Sequence, residues 1–556
     1  MADAAKPAFP AREAVDFVVI GSGAAGGVIA RELAAAGFSI VVLEQGKYRT
    51  ASDFQHDELG VMLMNGLAAG QQNGHPQTFR ASASEEARIQ NHPAPALYAQ
   101  TVGGSSVHFS ANYWRLRPTD FAEKSRLGAL GGTGFADWPI TYEELEPYYT
   151  RVEWEVGVSG APGHSDPPRS KPYPLPPMPV KSSGVLLEKG ARKLGLHPDP
   201  APVAILSRPY RNRAPCINCG FCMGFGCEVN AKSSTLASMI PLAEATGNCE
   251  IRPECVVSRI ETDDRGRASE VAYYDPAGKE QAQRAKAVIL CANGAETPRL
   301  LLLSESSSFP DGLANSSGLV GKYLMFNAHS VTNAMFEHPL NDHKSIQCTR
   351  VVLDYYESDP KRGFYGGGGL DGRPFLSATP IFFSMESLPP GVPAWGSEYK
   401  RFLAHAFNRQ MSVLGSGTSL PQASNNITLD PEVKDRWGRP ALRVTYRDHP
   451  DDLAMVRFLQ KRAVEIMEAA GAEKVWTEPV EDQTVGAHLL GTCRMGNDPA
   501  SSVVDKYHRS HDVPNLFICD GSSFVTSGRG QPTMTIQALA FRAAEHIAKA
   551  ARANAI

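Results

Sequence analysis

The chain has 556 residues, 42% of them hydrophobic and 21% charged, enough apolar side chain to bury large cores and to divide into about two to four domains. Lys and Arg total 55 against 59 acids, a formal net charge of -4, so no polyanion-binding surface is implied and nucleic acid is not an expected partner. The N-terminus MADAAKPAFPAREAVDF has no apolar core of signal-peptide length, and no stretch nears the roughly 20 apolar residues of a membrane span. The expectation is a soluble chain without an address of its own.

Asp16 to Glu44, DFVVIGSGAAGGVIARELAAAGFSIVVLE, reads as strand, tight turn, helix and second strand. Gly21, Gly23 and Gly26 complete G-x-G-x-x-G: the first permits the turn, the second lets backbone approach a pyrophosphate, and the third lets the helix pack closely. Glu44 ends the second strand, where an acid accepts ribose hydroxyls. The motif marks a dinucleotide site and does not decide FAD against NAD. Gln45 to Ala96 has weak periodicity and reads as loops and short helices. In TVGGSSVHF, Gly103 and Gly104 again allow close backbone approach, and His108 follows. The Pro-rich run SKPYPLPPMPV at 170 to 180 predicts an extended surface connection, leading to a helix near Ser183 to Leu194.

Cys216, Cys219, Cys222 and Cys227 stand in C-x2-C-x2-C-x4-C, close to a ferredoxin run but one residue longer and without its proline. Gly220, Gly224 and Gly226 would let the loop fold around a cluster. Three readings stay open: an iron-sulfur cluster on three or four thiolates, a structural zinc, or cysteines that merely pack. Beyond them, residues 250 to 304 are α/β again, with a hairpin through ASEVAYYDPAGKE, a buried strand at Ala287 to Cys291 and a helix from Glu296. Alternating runs between 331 and 479 (NAMFE, RVVLDYY, ATPIFFSME, SVLGSG, NNITL, LRVTYRD) predict a large antiparallel sheet, followed by an amphipathic helix over Asp451 to Ala470. GAHLLGTCRM carries His488. LFICDGSS ends a buried strand on Asp520 and Gly521, and Pro532 and Thr533 open a last helix whose Ile536, Leu539, Ala543 and Ile547 share one face.

Taken together, the opening motif, the GGSS segment, CANGAETPRLLLLS and the two C-terminal runs resemble the glucose-methanol-choline oxidoreductase family in order and over nearly the whole chain. The resemblance implies an α/β fold: an FAD-binding Rossmann-like domain with a substrate domain built on a large antiparallel sheet. The expected divisions are 13–50, 97–118, 225–330 and 480–552 for the discontinuous flavin domain, 119–215 and 331–479 for the substrate domain, and 216–227 for the cysteine loop. It further implies that Gly103, Gly104, Val256, Ala292, Asp520, Gly521, Pro532 and Thr533 meet the cofactor. His108 occupies the segment through which some members attach the flavin covalently; a ring merely packed beside the flavin is the alternative. His488 stands at the family's catalytic histidine, a base for the hydroxyl proton while the carbon's hydride leaves to the flavin. Gln531 departs from the family's Asn or His before the last helix, and a glutamine cannot shuttle a proton.

The function expected is an FAD-dependent dehydrogenase acting on a sugar, glycoside or polyol. Certain bacterial sugar and gluconate dehydrogenases of this family carry a cluster on such a loop, which implies a small helper subunit and a cytochrome or quinone acceptor. Export on the partner's signal would then place the protein in the periplasm instead of the cytoplasm. An oxygen-using oxidase and a lyase that keeps FAD structurally are the alternatives.

Overall fold

The computed structural model describes residues 8–57, 74–90, 93–374 and 388–556. Its first sheet grows from the near-continuous apolar strand Val15–Ile20, buried on both faces as parallel strands require. Ile40–Leu43 and then Cys249–Arg252 join it on one side; Glu280–Leu290 and then Leu516–Ile518 join on the other, all in parallel. Glu280–Leu290 is long enough to do two jobs. Its second half sits in the parallel sheet, and its first half continues antiparallel into Ala268–Tyr274 and Val256–Thr262. The helices Ala24–Ala35 and Thr533–Arg552 pack on each other, so the first and last helices of the chain close the same unit.

A second sheet of six strands runs in the order Lys474–Thr477, His329–Met335, Gln410–Gly417, Gly368–Pro374, Arg350–Val352, Pro198–Pro200, with every neighbour antiparallel. Its register decides what each face carries, because side chains alternate and cross-strand partners point the same way. Ala334, Met411, Val413 and Leu370 pack with Leu186, Leu187, Met455 and Leu459 from the helices Ser182–Lys193 and Pro450–Ala470. The partners His329↔Ser416, Val331↔Leu414, Leu414↔Asp371 and Ser412↔Arg373 occupy the other face.

Three expectations change. NNITL and LRVTYRD form strands, but in a separate four-stranded sheet, Asn426–Lys434, Pro440–Thr445, Gln77–Arg80 and Arg88–Ile89, in which Pro440–Thr445 runs parallel to Gln77–Arg80. The stretch read as loops and short helices therefore supplies two strands of that sheet. Alternation predicts a strand without saying which sheet takes it. The run ATPIFFSME and the part of the early segment at 58–73 lie outside the described residues. The helix expected from Glu296 opens at Asn293–Leu303, where the Asn293 side chain accepts from the Ala295 and Glu296 N–H groups at 2.9 and 3.2 Å.

Gly26 shows why the opening motif needs its third glycine: a Cβ there would lie 1.9 Å from the Gly21 carbonyl oxygen. Gly26→Ala is expected to destabilise the protein by about 3 kcal/mol, as overpacking of a closed core does. Denaturant unfolding of the wild type and variant, with flavin content measured alongside, checks this; equal midpoints would refute it.

Candidate active site

A single cavity of about 580 Å³ lies between the two larger sheets. At one end the chain turns at Gly21, whose φ of +92° and 2.6 Å clearance from the Cys291 carbonyl oxygen admit only glycine. Gly23 and Gly104 line the cavity with their backbones almost touching, since a Cβ on Gly104 would sit 2.7 Å from the Gly23 Cα. Two lines of sequence thus meet as one bare backbone cradle. Glu44 borders it, and its carboxylate accepts from the Ser22 N–H at 3.0 Å, the Ser22 hydroxyl at 2.7 Å and the Gly46 N–H at 2.9 Å. Burial pushes its pKa up against those bonds.

Gly26 and Gly103 stand behind the cavity and shape it. Gly103, at φ +92°, donates its N–H to the Ser22 hydroxyl at 3.0 Å and so holds Gly104 against Gly23. Val256, Ala292, Gly521, Pro532 and Thr533 all line the cavity, the last two at the N-terminus of the final helix. Asp520 lines it too, with its carboxylate engaged by the Ser522 N–H at 2.8 Å, the Asn293 N–H at 3.0 Å and the Thr297 hydroxyl at 2.6 Å. Its main effect is to tie the start of the Asn293–Leu303 helix to the 521–523 turn. Sequence reasoning missed His75, Glu296, Arg299 and Arg439, which also border the cavity. Arg299 bridges Glu296 at 3.2 Å and Asp435 at 2.8 Å, and Arg439 reaches the same Asp435, so this cluster is charge-balanced.

His488 lies at the opposite, sheet-facing part of the cavity, with Gln531, His108, His329 and Arg373. Backbone bonds between Met325 and Leu490, 3.0 and 3.2 Å, lay segment 325–329 antiparallel to 486–490 and bring Asn327 beside His488. Asn327 donates both amide protons, to the carbonyls of Gly417 at 2.8 Å and Gly528 at 3.1 Å. Its oxygen is therefore left to accept, and His488 Nδ1 is 3.1 Å away. That fixes the proton on Nδ1 and leaves Nε2 with a free lone pair. Burial lowers the His488 pKa to about 4, with the Gln531 side-chain hydrogen bond opposing and Arg373 adding, so the ring is neutral near pH 7. Asn327, His329 and Arg373 were not foreseen. The available signal was the alternation of Asn327 and His329 at the start of an apolar strand.

His108 contributes a ring whose Nε2 is buried without a hydrogen-bond partner, and burial first, then Lys232 and Arg49, lowers its pKa to about 3. The loop carrying Gln531 is anchored by Arg529, which is fully buried and pairs with Asp120 at 2.6 Å and with Glu123. Tyr356 donates to Asp120 at 2.6 Å, Tyr365 donates to Glu123, and Ser358 accepts from Arg529 at 2.7 Å.

Cys216, Cys219, Cys222 and Cys227 border one small cavity of about 20 Å³, together with Lys232. All four are free thiols, but among the described residues no three His, Cys, Asp or Glu side chains converge as a metal site. The expected ligand shell is not formed. Burial pushes the Cys216, Cys219 and Cys222 thiols up, Cys222 to about 12, with Lys232 opposing at Cys222; Lys232 is buried, donates to the carbonyls of Phe109 (3.0 Å), Cys222 (2.5 Å) and Phe225 (2.8 Å), and has no carboxylate partner among the described residues. Met223 and Gly224, next to Cys222, line the large cavity, and the Gly224 N–H donates to the His108 carbonyl at 2.8 Å.

Family models described as GMC oxidoreductase match residues 15–327 and 421–540. The chain belongs to the GMC oxidoreductase family. It is 35% identical to a 2-methyl-1,2-propanediol dehydrogenase of Mycolicibacterium austroafricanum (96% of this chain, 95% of that one). It is 31% identical to the gluconate 2-dehydrogenase flavoprotein of Pantoea cypripedii (96% and 93%), and 30% identical to the fructose dehydrogenase large subunit of Gluconobacter japonicus (96% and 97%). The fold is shared with pyridoxine 4-oxidase from Mesorbium loti (TM-score 0.63, 18% identity, 96% and 98% covered) and with an Aspergillus oryzae RIB40 formate oxidase variant (0.66, 16%, 99% and 100%). This GMC oxidoreductase is an FAD-dependent enzyme acting on CH–OH groups, and its glycine cradle, Glu44 and elongated cavity fit that cofactor. Among the described residues no helix is long and apolar enough to cross a membrane.

Arg529→Met removes the cation paired with two buried carboxylates, a change that costs about 3–5 kcal/mol. Burial already pushes Asp120 above the usual carboxylate range, with Arg529 opposing. In the variant the folded state must hold more protons than the unfolded state, so stability falls as pH rises. Denaturation at pH 5 and pH 8 should show the larger loss at pH 8; a pH-independent loss would refute the assignment.

Proposed function

We propose that this enzyme is a dehydrogenase that oxidises a hydroxyl of a sugar, glycoside or polyol, with His488 as the base. The observation that carries the reading is the Asn327 amide, whose two protons are both committed to backbone carbonyls and whose oxygen holds His488 Nδ1–H. Nε2 is then the acceptor for the substrate's hydroxyl proton. Gly21, Gly23, Glu44, Gly104, Val256, Ala292 and Gly521 are the residues that would hold FAD, which would supply a hydride acceptor for the carbinol carbon. His488 becomes positively charged as it takes the proton. Gln531 bonds to that ring and favours its charged form, so it stabilises the product of proton transfer without itself moving a proton. The N-terminus at Pro532 and Thr533 directs a partial positive charge into the cavity.

The proposal extends to electron export. Cys216, Cys219, Cys222 and Cys227 are the residues that would hold a three-iron or four-iron cluster, which supplies one-electron transfer. Supporting this are their shared cavity, the buried Lys232 and the direct contact of the loop with the cofactor cavity through Met223 and Gly224. A cytochrome or quinone would be the acceptor and a small helper subunit the partner, a reading supported by similarity to proteins named as a dehydrogenase flavoprotein and a large subunit. Periplasmic export with that subunit is part of the same reading, with a cytoplasmic enzyme as its alternative.

His488→Ala is expected to keep FAD bound and to abolish its anaerobic bleaching by substrate. Asn327→Ala should slow bleaching by about 100-fold, the low end for a misplaced base. In the wild type the rate should hold from about pH 8 down to pH 5 and fall only as pH approaches 4, because protonation removes the base. Rapid-scanning spectroscopy measures all three; bleaching by His488→Ala at the wild-type rate would sink the assignment. Iron per flavin in anaerobically purified protein tests the second part. Three or four irons, lost in Cys219→Ser with Cys222→Ser, are expected; flavin with no iron would favour an oxygen-using oxidase.

A further inference from the structure

His329 stands on the cavity face of the antiparallel sheet, level with Ser416 and Gly369 and on the same face as Leu414 and Arg373. Its ring centroid is 5.6 Å from that of His488, with the planes at 71°. Nδ1 is buried, with the Gly415 backbone beside the ring, and Nε2 is the ring nitrogen that the fold leaves accessible to bound substrate. We infer that His329 is the second substrate contact and selects neutral alcohols that carry another hydroxyl on the carbon next to the one oxidised. The inference rests on the functional reading above and narrows its substrate class to vicinal diols, whether free polyols or sugar rings.

Oxygens on adjacent carbons lie about one hydrogen-bond length apart, roughly 2.8 Å, so each reaches its own ring when the two rings face the same space 5.6 Å apart. A lone alcohol satisfies His488 and leaves His329 without a substrate partner, which forgoes one hydrogen bond. The ring is uncharged: burial first, then His488 and Arg373, lowers its pKa to about 3 while the Gly415 backbone opposes. It therefore offers a hydrogen bond and no attraction for an anion. Arg373, the cation of this end, is paired with Asp371 through Nε and through Nη2 at 2.9 Å, and Asp371 is fully buried. That pair is neutral as a unit, so an aldonate carboxylate finds no free positive charge here.

The test uses holoenzyme and pairs 1,2-propanediol with 1-propanol, with gluconate as the anionic comparison. The wild type is expected to bleach its flavin with the diol at a KM about tenfold below that for the mono-alcohol, the worth of one added hydrogen bond to a buried partner. His329→Ala should raise the diol KM about tenfold, leave the mono-alcohol KM within about twofold and leave the acid limb of the pH profile unmoved. His329→Gln should recover part of the diol preference, and equal flavin content in all forms excludes a folding defect. Equal losses on diol and mono-alcohol, a moved acid limb, or a preference for gluconate would overturn the inference while leaving the alcohol dehydrogenase intact. Bleaching by none of the alcohols in the wild type would overturn the functional reading and this inference with it.

Discussion

Two backbone hydrogen bonds between Met325 and Leu490 join what the two large sheets contribute. On one side of this crossing, segment 325–329 runs into the strand His329–Met335 of the antiparallel sheet; on the other, 486–490 leads toward the turns around Asp520. Beyond this single antiparallel bridge Asn327 takes a left-handed backbone, φ +62°, and its side-chain oxygen meets His488 Nδ1 at 3.1 Å. Asn327 and His329 come to one side, and His488 meets both. The chemistry of the cavity depends on this crossing, since a shift there would part Asn327 from His488.

The same economy governs the buried charges. Arg529 has no access to solvent, and its two carboxylate partners come from residues 120 and 123, some four hundred positions earlier. A buried pair of this kind contributes little net stability, because desolvation offsets most of the attraction. What it contributes is position. The guanidinium is two residues from Gln531 and one from Gly528, whose carbonyl holds the Asn327 amide, so the pair fixes the loop on which both contacts to His488 depend. Arg299 with Glu296 and Asp435 plays the corresponding part at the cavity's other end.

What the sequence made legible follows from where the physics is local. The Gly21, Gly23 and Gly26 cradle was readable because steric exclusion acts over a few residues, and the long helices because their periodicity is their own. His488 and the four cysteines were readable as residue types in motifs. Their partners were not. Nothing near position 327 announces that its amide protons will find Gly417 and Gly528, because those contacts exist only after two distant turns have packed. The strands at 426–445 were recognisable as strands, yet their parallel pairing with Gln77–Arg80 depends on a segment whose own pattern is weak. The cysteine loop shows the opposite limit: its composition named a ligand set, while the arrangement of the thiols is a matter of loop geometry that spacing does not determine.

The departure at Gln531 gains sense from the charge state of the catalytic end. His329 and His488 are both neutral, Arg373 is cancelled by Asp371, and the groups acting on His488 are the Asn327 amide at Nδ1, the Gln531 amide and the Arg373 charge. Among the described residues no carboxylate is bonded to the imidazole. A histidine oriented by amides is a weaker base than one paired with an acid, but its orientation is fixed and it stays unprotonated over the whole neutral range. Positive charge then arises there only when a proton arrives, and amide dipoles stabilise it modestly, so the proton is readily given up again. A second histidine in place of Gln531 would add another site for that proton beside the first. Glutamine keeps the hydrogen bond and removes the alternative acceptor, which leaves the whole burden of proton removal on one ring whose tautomer is set by Asn327.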